Sequence, residues 1–239
     1  MGPVQHTSQN RGSRDVQASL QPRPWAGLPG SYYLTWVGVC AAAELLGIAL
    51  GTGWWVAMDR IAPDPASLAG KFAMLGLKSL SGLVEGVVLG LLQGLVLRRL
   101  YPRLPLPAWI ALTALLAIGG WAAGSAIPIF GGPGGEEPAE PSLFLSIVLA
   151  AGFGLAAGAL FGAVQAAALR RAASASYWWI IVNAAGWALA LPVIYAAASL
   201  PDAASPIWLI LAAGLASGAT AGIVLGAVTG LAFWRMPAK

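Results

Sequence analysis

The chain has 239 residues, of which 58% are hydrophobic and only 9% charged, with a net charge of +4 and a mean hydropathy of +0.75. A charged fraction that far below the roughly 25% of soluble domains excludes a water-soluble globular protein and indicates an integral membrane protein. The single histidine, His6, and the single cysteine, Cys40, exclude an intrachain disulfide, HExxH zinc chemistry, bis-histidine haem and a Ser-His-Asp triad within the apolar runs. Neither a metal, a cofactor nor a nucleic-acid partner is expected.

Residues 1–31 contain no apolar core and are therefore not a signal peptide. Their Gln, Ser, Arg, Pro and Gly content reads as a disordered tail, with Arg11, Arg14 and Arg23 close to the membrane. Residues 32–239 read as an all-α, six-helix transmembrane domain. Its spans fall at about 33–57, 72–98, 107–128, 143–169, 177–199 and 207–234, each near or above the roughly 20 residues that cross a hydrocarbon core. Tyr32, Tyr33, Trp36, Trp54, Trp55, Trp109, Tyr177, Trp178, Trp179, Trp208 and Trp234 lie near span ends, which predicts interfacial belts. Trp121 and Trp187 lie deeper and are expected to pack between helices. Pro192, inside the fifth span, is expected to kink it, and Asn183 to bond across helices.

Charge separates two sides. With six spans, the tail, the second and fourth loops and the C-terminus share one side. That side carries Arg98, Arg99, Arg103, Arg170, Arg171, Arg235 and Lys239 besides the tail arginines, against only Asp15. The other side holds Asp59, Asp64, Glu136, Glu137, Glu140 and Asp202, with Arg60 and Lys71 as its flanking positives. The positive-inside rule then places both termini in the cytoplasm of a bacterial inner membrane. It also makes Arg98, Arg99, Arg170 and Arg171 contacts for anionic lipid headgroups.

Glycines recur every fourth residue in the even spans: Gly82, Gly86, Gly90, Gly94; Gly154, Gly158, Gly162; and Gly214, Gly218, Gly222, Gly226, Gly230. Glycine within a helix costs about 1 kcal/mol relative to alanine in water. In lipid, small residues at this spacing let two backbones approach and pack. The even spans share more than glycine. Gly86-x3-Gly90-x2-Gln93-x3-Leu97-Arg98 matches Gly158-x3-Gly162-x2-Gln165-x3-Leu169-Arg170, and the last span gives Gly222-x3-Gly226-x2-Thr229. The odd spans share Gly53-Trp54, Gly120-Trp121 and Gly186-Trp187, spaced 67 and 66 residues apart. The unit is therefore a two-span hairpin repeated three times in tandem, at about 33–99, 107–171 and 177–235, each copy with the same orientation. The simplest arrangement has the laddered even helices meeting at the centre, the Trp-bearing odd helices outside, and Gln93, Gln165 and Thr229 forming a polar ring.

The repeated GxxxGxxQxxxLR signature with Trp-rich partner helices resembles a broad set of uncharacterised bacterial polytopic membrane proteins, found in cyanobacteria and other environmental bacteria. The match is good at 82–99 and 154–171 and looser at 218–235, where Thr229 replaces Gln. The resemblance implies the repeat architecture and carries no activity with it.

Three ionisable residues lie inside spans, Glu44, Lys78 and Glu85, and all belong to the first repeat. Alanine or glycine stands at the positions equivalent to Lys78 and Glu85 in the other repeats, so charge breaks the repetition at one hairpin. Such residues cost several kcal/mol at the bilayer centre and are candidates for function. Glu44 and Glu85 both fall near mid-membrane, where two carboxylates do not ionise together. They could form a proton or cation site, or a Glu–Glu or Glu–Gln bond that fixes the hairpin's register. Lys78 lies seven residues from Glu85, about 10.5 Å along the helix, and is expected to snorkel to the outer interface. With no catalytic set in view, the leading expectation is a non-enzymatic structural, accessory or assembly subunit with a membrane-protein partner. The alternative is a small proton- or cation-coupled carrier or channel using Glu44 and Glu85.

Overall fold

The computed structural model describes residues 30–61, 65, 67–130, 142–200 and 205–239. The expected tail, apart from its last two residues, and the acidic segment 131–141 lie outside them. Six helices follow in order: α1 (Gly30–Ile61), α2 (Leu68–Leu100), α3 (Leu106–Phe130), α4 (Leu143–Leu169), α5 (Trp178–Ala198) and α6 (Ile207–Gly230), the last continued by a 3-10 turn at Leu231–Trp234. Each of the six is long and apolar enough to cross a membrane. Ser67 and Ser142 cap the starts of α2 and α4, their hydroxyls accepting from the amides of Gly70 and Leu145. Helix α5 runs unbroken through Pro192.

The helices form a closed ring. Each touches its neighbours in chain order, and α6 returns to pack along α1. The glycine ladders fix three of the six contacts, and each is seated on an odd-numbered helix. Gly82, Gly86, Gly90 and Gly94 lie against Ala117, Ala114, Ile110 and Leu106 of α3. Gly154, Gly158 and Gly162 lie against Trp187, Asn183 and Ile180 of α5. Gly218, Gly222, Gly226 and Gly230 lie against Glu44, Cys40, Val37 and Tyr33 of α1. A methyl group added at Gly222 would come within 2.5 Å of the Cys40 carbonyl, so the backbones meet with no room for a side chain. Gly214 is looser, since its nearest neighbour, Thr52, would stand 3.7 Å from an added methyl.

This corrects the expected arrangement. Among the described residues α2, α4 and α6 do not touch one another. The centre at the basic end is instead filled by Trp36, Trp109 and Trp179 from the odd helices, all essentially without exposure. Three indoles on the axis hold the even helices apart, so the ladders close sideways. These three tryptophans are core residues rather than members of an interfacial belt. The tightest α2 contact is also with α3 rather than with its hairpin partner α1, while α3 and α4 touch least.

The residues after α6 cross beneath the ring. Phe233 is buried, with ring centroids 5.2 Å from Trp36 and 5.4 Å from Tyr32. The Tyr101 hydroxyl donates to the Met236 carbonyl at 2.8 Å, Ser174 N–H to Pro237, and Lys239 N–H to Ala172. This segment therefore ties the α2–α3 turn to the α4–α5 turn.

Candidate functional site

Two polar layers occupy the interior. The first, nearer the arginine-bearing end, is built on the indole cluster. Trp179 meets Trp36 and Trp109 edge to face, each at 5.8 Å. The Trp36 indole N–H donates to Thr229 Oγ1 at 3.0 Å, and the Trp179 N–H to Gln165 Oε1 at 2.9 Å. Each bond joins an even helix to the odd helix on which its ladder sits. Gln165 also donates to Thr113 Oγ1 at 2.9 Å, which bridges the thin α3–α4 seam. Asn183 donates to Trp179 O on its own helix.

The corresponding pair on α2 and α3 is Gln93 and Trp109, and there the pattern stops. Gln93 Nε2 lies 3.5 Å from Cys40 Sγ on α1. The Trp109 indole N–H is buried and has no hydrogen-bond partner among the described residues. Gln93, Gln165 and Thr229 therefore do not make the expected ring with one another. Each bonds to an odd helix, because the tryptophans stand between them.

The second layer is at mid-helix. One turn beyond Cys40 on α1 is Glu44, 1% exposed, with both carboxylate oxygens buried and no hydrogen-bond partner among the described residues. Its backbone is held by Gly218 of α6. On α2, Glu85 is also buried and accepts a short hydrogen bond from the Trp121 indole of α3. Both partners press on α1 where it too lacks side chains. A methyl added at Gly47 would meet Glu85 Cγ at 2.8 Å, and one at Gly51 would meet the Trp121 ring at 2.9 Å. The register bond expected for Glu44 is not made, since Glu85 is bonded to Trp121 and Gln93 to Cys40.

Toward the other end, Ser81 donates to Gly51 O at 3.0 Å, and the Trp55 indole to Ser125 Oγ at 3.3 Å. Lys78 is buried, with its ammonium 3.7 Å from the centre of the Trp55 ring. A cation over an indole face is stabilised where it is desolvated, which explains why Lys78 stays inside the bundle instead of snorkelling. Gln93, Cys40, Glu44, Glu85, Ser81 and Lys78 thus form a polar column along α1 and α2, with Trp121 of α3 bonded to it at Glu85. On the opposite side of the ring, α4 and α5 carry no acidic or basic side chain.

Cys40, Thr113, Trp109 and Trp121 belong to this site although their sequence positions did not single them out as site residues. A signal did exist for the indoles, since Trp36, Trp109 and Trp179 recur 73 and 70 residues apart, close to the repeat interval. Among the described residues, no group of three or more His, Cys, Asp and Glu side chains could hold a metal ion. No protein-family model, curated protein or solved structure matches the chain.

Proposed function

We propose that the chain is a multi-pass bacterial inner-membrane protein with both termini cytoplasmic, built from three tandem hairpin repeats, that takes up a proton at Glu44 and couples it to movement of a small solute or of the proton itself. It is not an enzyme in this reading. The observation that carries it is the pair of buried carboxylate oxygens of Glu44, which have no hydrogen-bond partner among the described residues. An ionised carboxylate so placed, without a partner, costs several kcal/mol in an apolar interior. A group serving only to fix helix register would be expected to make the bond that fixes it. Glu85, held by Trp121 against Gly47, places a second carboxyl group against α1 about one turn from Glu44. The polar column from Gln93 to Lys78 supplies hydrogen-bonding groups on both sides of the pair.

A second reading, a structural or assembly subunit with a membrane-protein partner, is supported by the ladder-packed ring and the C-terminal tie beneath it. Proteoliposomes holding a pH-sensitive dye separate the two. Under an imposed potential, the carrier reading expects proton flux in the wild type that is lost in Glu44→Gln and reduced in Glu85→Gln. Flux equal in all three, or no flux together with a stoichiometric protein co-purifying from native membranes, selects the subunit reading instead.

A further inference from the structure

The outward face between α2 and α3 is grooved. The groove is lined almost wholly by carbon and includes Leu83 and Val87 on α2 and Pro107, Ala111, Leu115 and Ile118 on α3. Ala111 contributes only a methyl group on an exposed face, so room is left between the leucine and valine side chains around it. From Pro107 to Ile118 the groove runs about 16 Å along the helix, close to half of the roughly 30 Å hydrocarbon thickness. It therefore fits the depth of one leaflet.

The groove also has a charged mouth. Arg98 follows Val87 by eleven residues, three helical turns, and so falls on the same face of α2. It lies in the last turn of the helix and is exposed. Arg103, in the short turn between α2 and α3, is exposed at the same end, four residues before Pro107. We infer that this groove binds one anionic phospholipid, with an acyl chain laid along Ala111 and the phosphate between Arg98 and Arg103. The apolar lining suits the chain, the length suits one leaflet, and the two exposed arginines belong to the end of the hairpin where the headgroup must lie. The site is independent of Glu44 and of any transport activity.

The test uses the full chain purified in mild detergent, with native mass spectrometry of added phosphatidylglycerol and phosphatidylcholine. A cation near the membrane surface contributes about 1 kcal/mol toward an anionic lipid, so two predict a preference of roughly thirtyfold for phosphatidylglycerol. Ala111→Trp should remove one bound lipid of either kind. Arg98→Gln with Arg103→Gln, both outside the packed core, should leave binding but abolish the preference. Equal binding of the two lipids by the wild type would overturn the inference, as would a preference that survives the arginine changes. A protein that co-purifies on this face and is released by Ala111→Trp would overturn it too.

Discussion

Gln93 turns its amide toward Cys40 and leaves the indole N–H of Trp109 without an acceptor among the described residues. The other two even helices satisfy the matching tryptophans, Trp179 through Gln165 and Trp36 through Thr229. Replacing Trp by Phe keeps most of the ring and removes the N–H. In Trp36→Phe and Trp179→Phe that change loses a buried bond worth about 1 kcal/mol. In Trp109→Phe it removes an unsatisfied donor instead. Unfolding in mixed micelles should therefore rank Trp109→Phe as the most stable of the three, and a reversed order would count against the asymmetry.

The ladders predict position-specific effects of a single methyl group. Gly86→Ala, Gly158→Ala and Gly222→Ala each drive that methyl into a facing helix, and overpacking of this kind costs about 1–3 kcal/mol. Gly152 lies on α4 two residues before its ladder begins and has nothing within 4 Å of an added methyl. Gly152→Ala should be neutral or stabilising by up to about 1 kcal/mol on propensity alone. Thermal unfolding of the four variants in one detergent reads the contrast directly.

Gly47 tests the carboxylate site without touching a carboxylate. A methyl there reaches Glu85 Cγ, so Gly47→Ala should push Glu85 off the Trp121 indole while leaving Glu44 chemically intact. Proton flux should fall in Gly47→Ala, and Trp121→Phe should reproduce the fall. Flux unchanged in both would mean that the position of Glu85 is immaterial to transport.

Tyr101 couples the C-terminal segment to pH. It caps α2 just outside the membrane span, and burial pushes its phenol above the usual tyrosine value of 10.0. Because the folded state holds the proton more tightly than the unfolded chain, the stabilising contribution is complete below pH 10 and declines as pH rises from there toward the raised value. Tyr101→Phe should cost about 1 kcal/mol at neutral pH through the lost bond to Met236 and should lessen the alkaline decline. Stability measured from pH 8 to 11 for the two proteins gives the comparison.

Phe233→Ala should be the most damaging substitution beneath the ring. The side chain is 1% exposed and meets Tyr32, Trp36, Tyr101 and Trp179. Emptying such a site costs about 3–5 kcal/mol, and carboxypeptidase should then digest the C-terminal segment faster. Digestion at the wild-type rate would show that the backbone bonds to Ala172 and Ser174 hold the segment unaided.

The six helices were legible because apolar runs of this length have few other uses, and the ladders because their spacing is regular. What each ladder faces was not legible. A bare stripe specifies close approach but names no partner, and any of five helices could supply one. The tryptophans were misplaced for a related reason: Trp36, Trp109 and Trp179 stand near span ends, where both a belt residue and a core residue can sit. Glu44 and Glu85 were visible as charges inside apolar runs. Trp121 as the partner of Glu85 depended on α3 packing against α2, and that is a property of the assembled ring.

The seating of α6 on α1 has a consequence for biosynthesis. Helix α1, made before the other five, finds the surface that covers Cys40 and Glu44 only when α6 has been made. Until then α1 is held by α2 alone, with one flank open to the lipid or to the insertion machinery. Closure is therefore a single late event, and a chain stalled before α6 leaves the helix that carries Glu44 half uncovered.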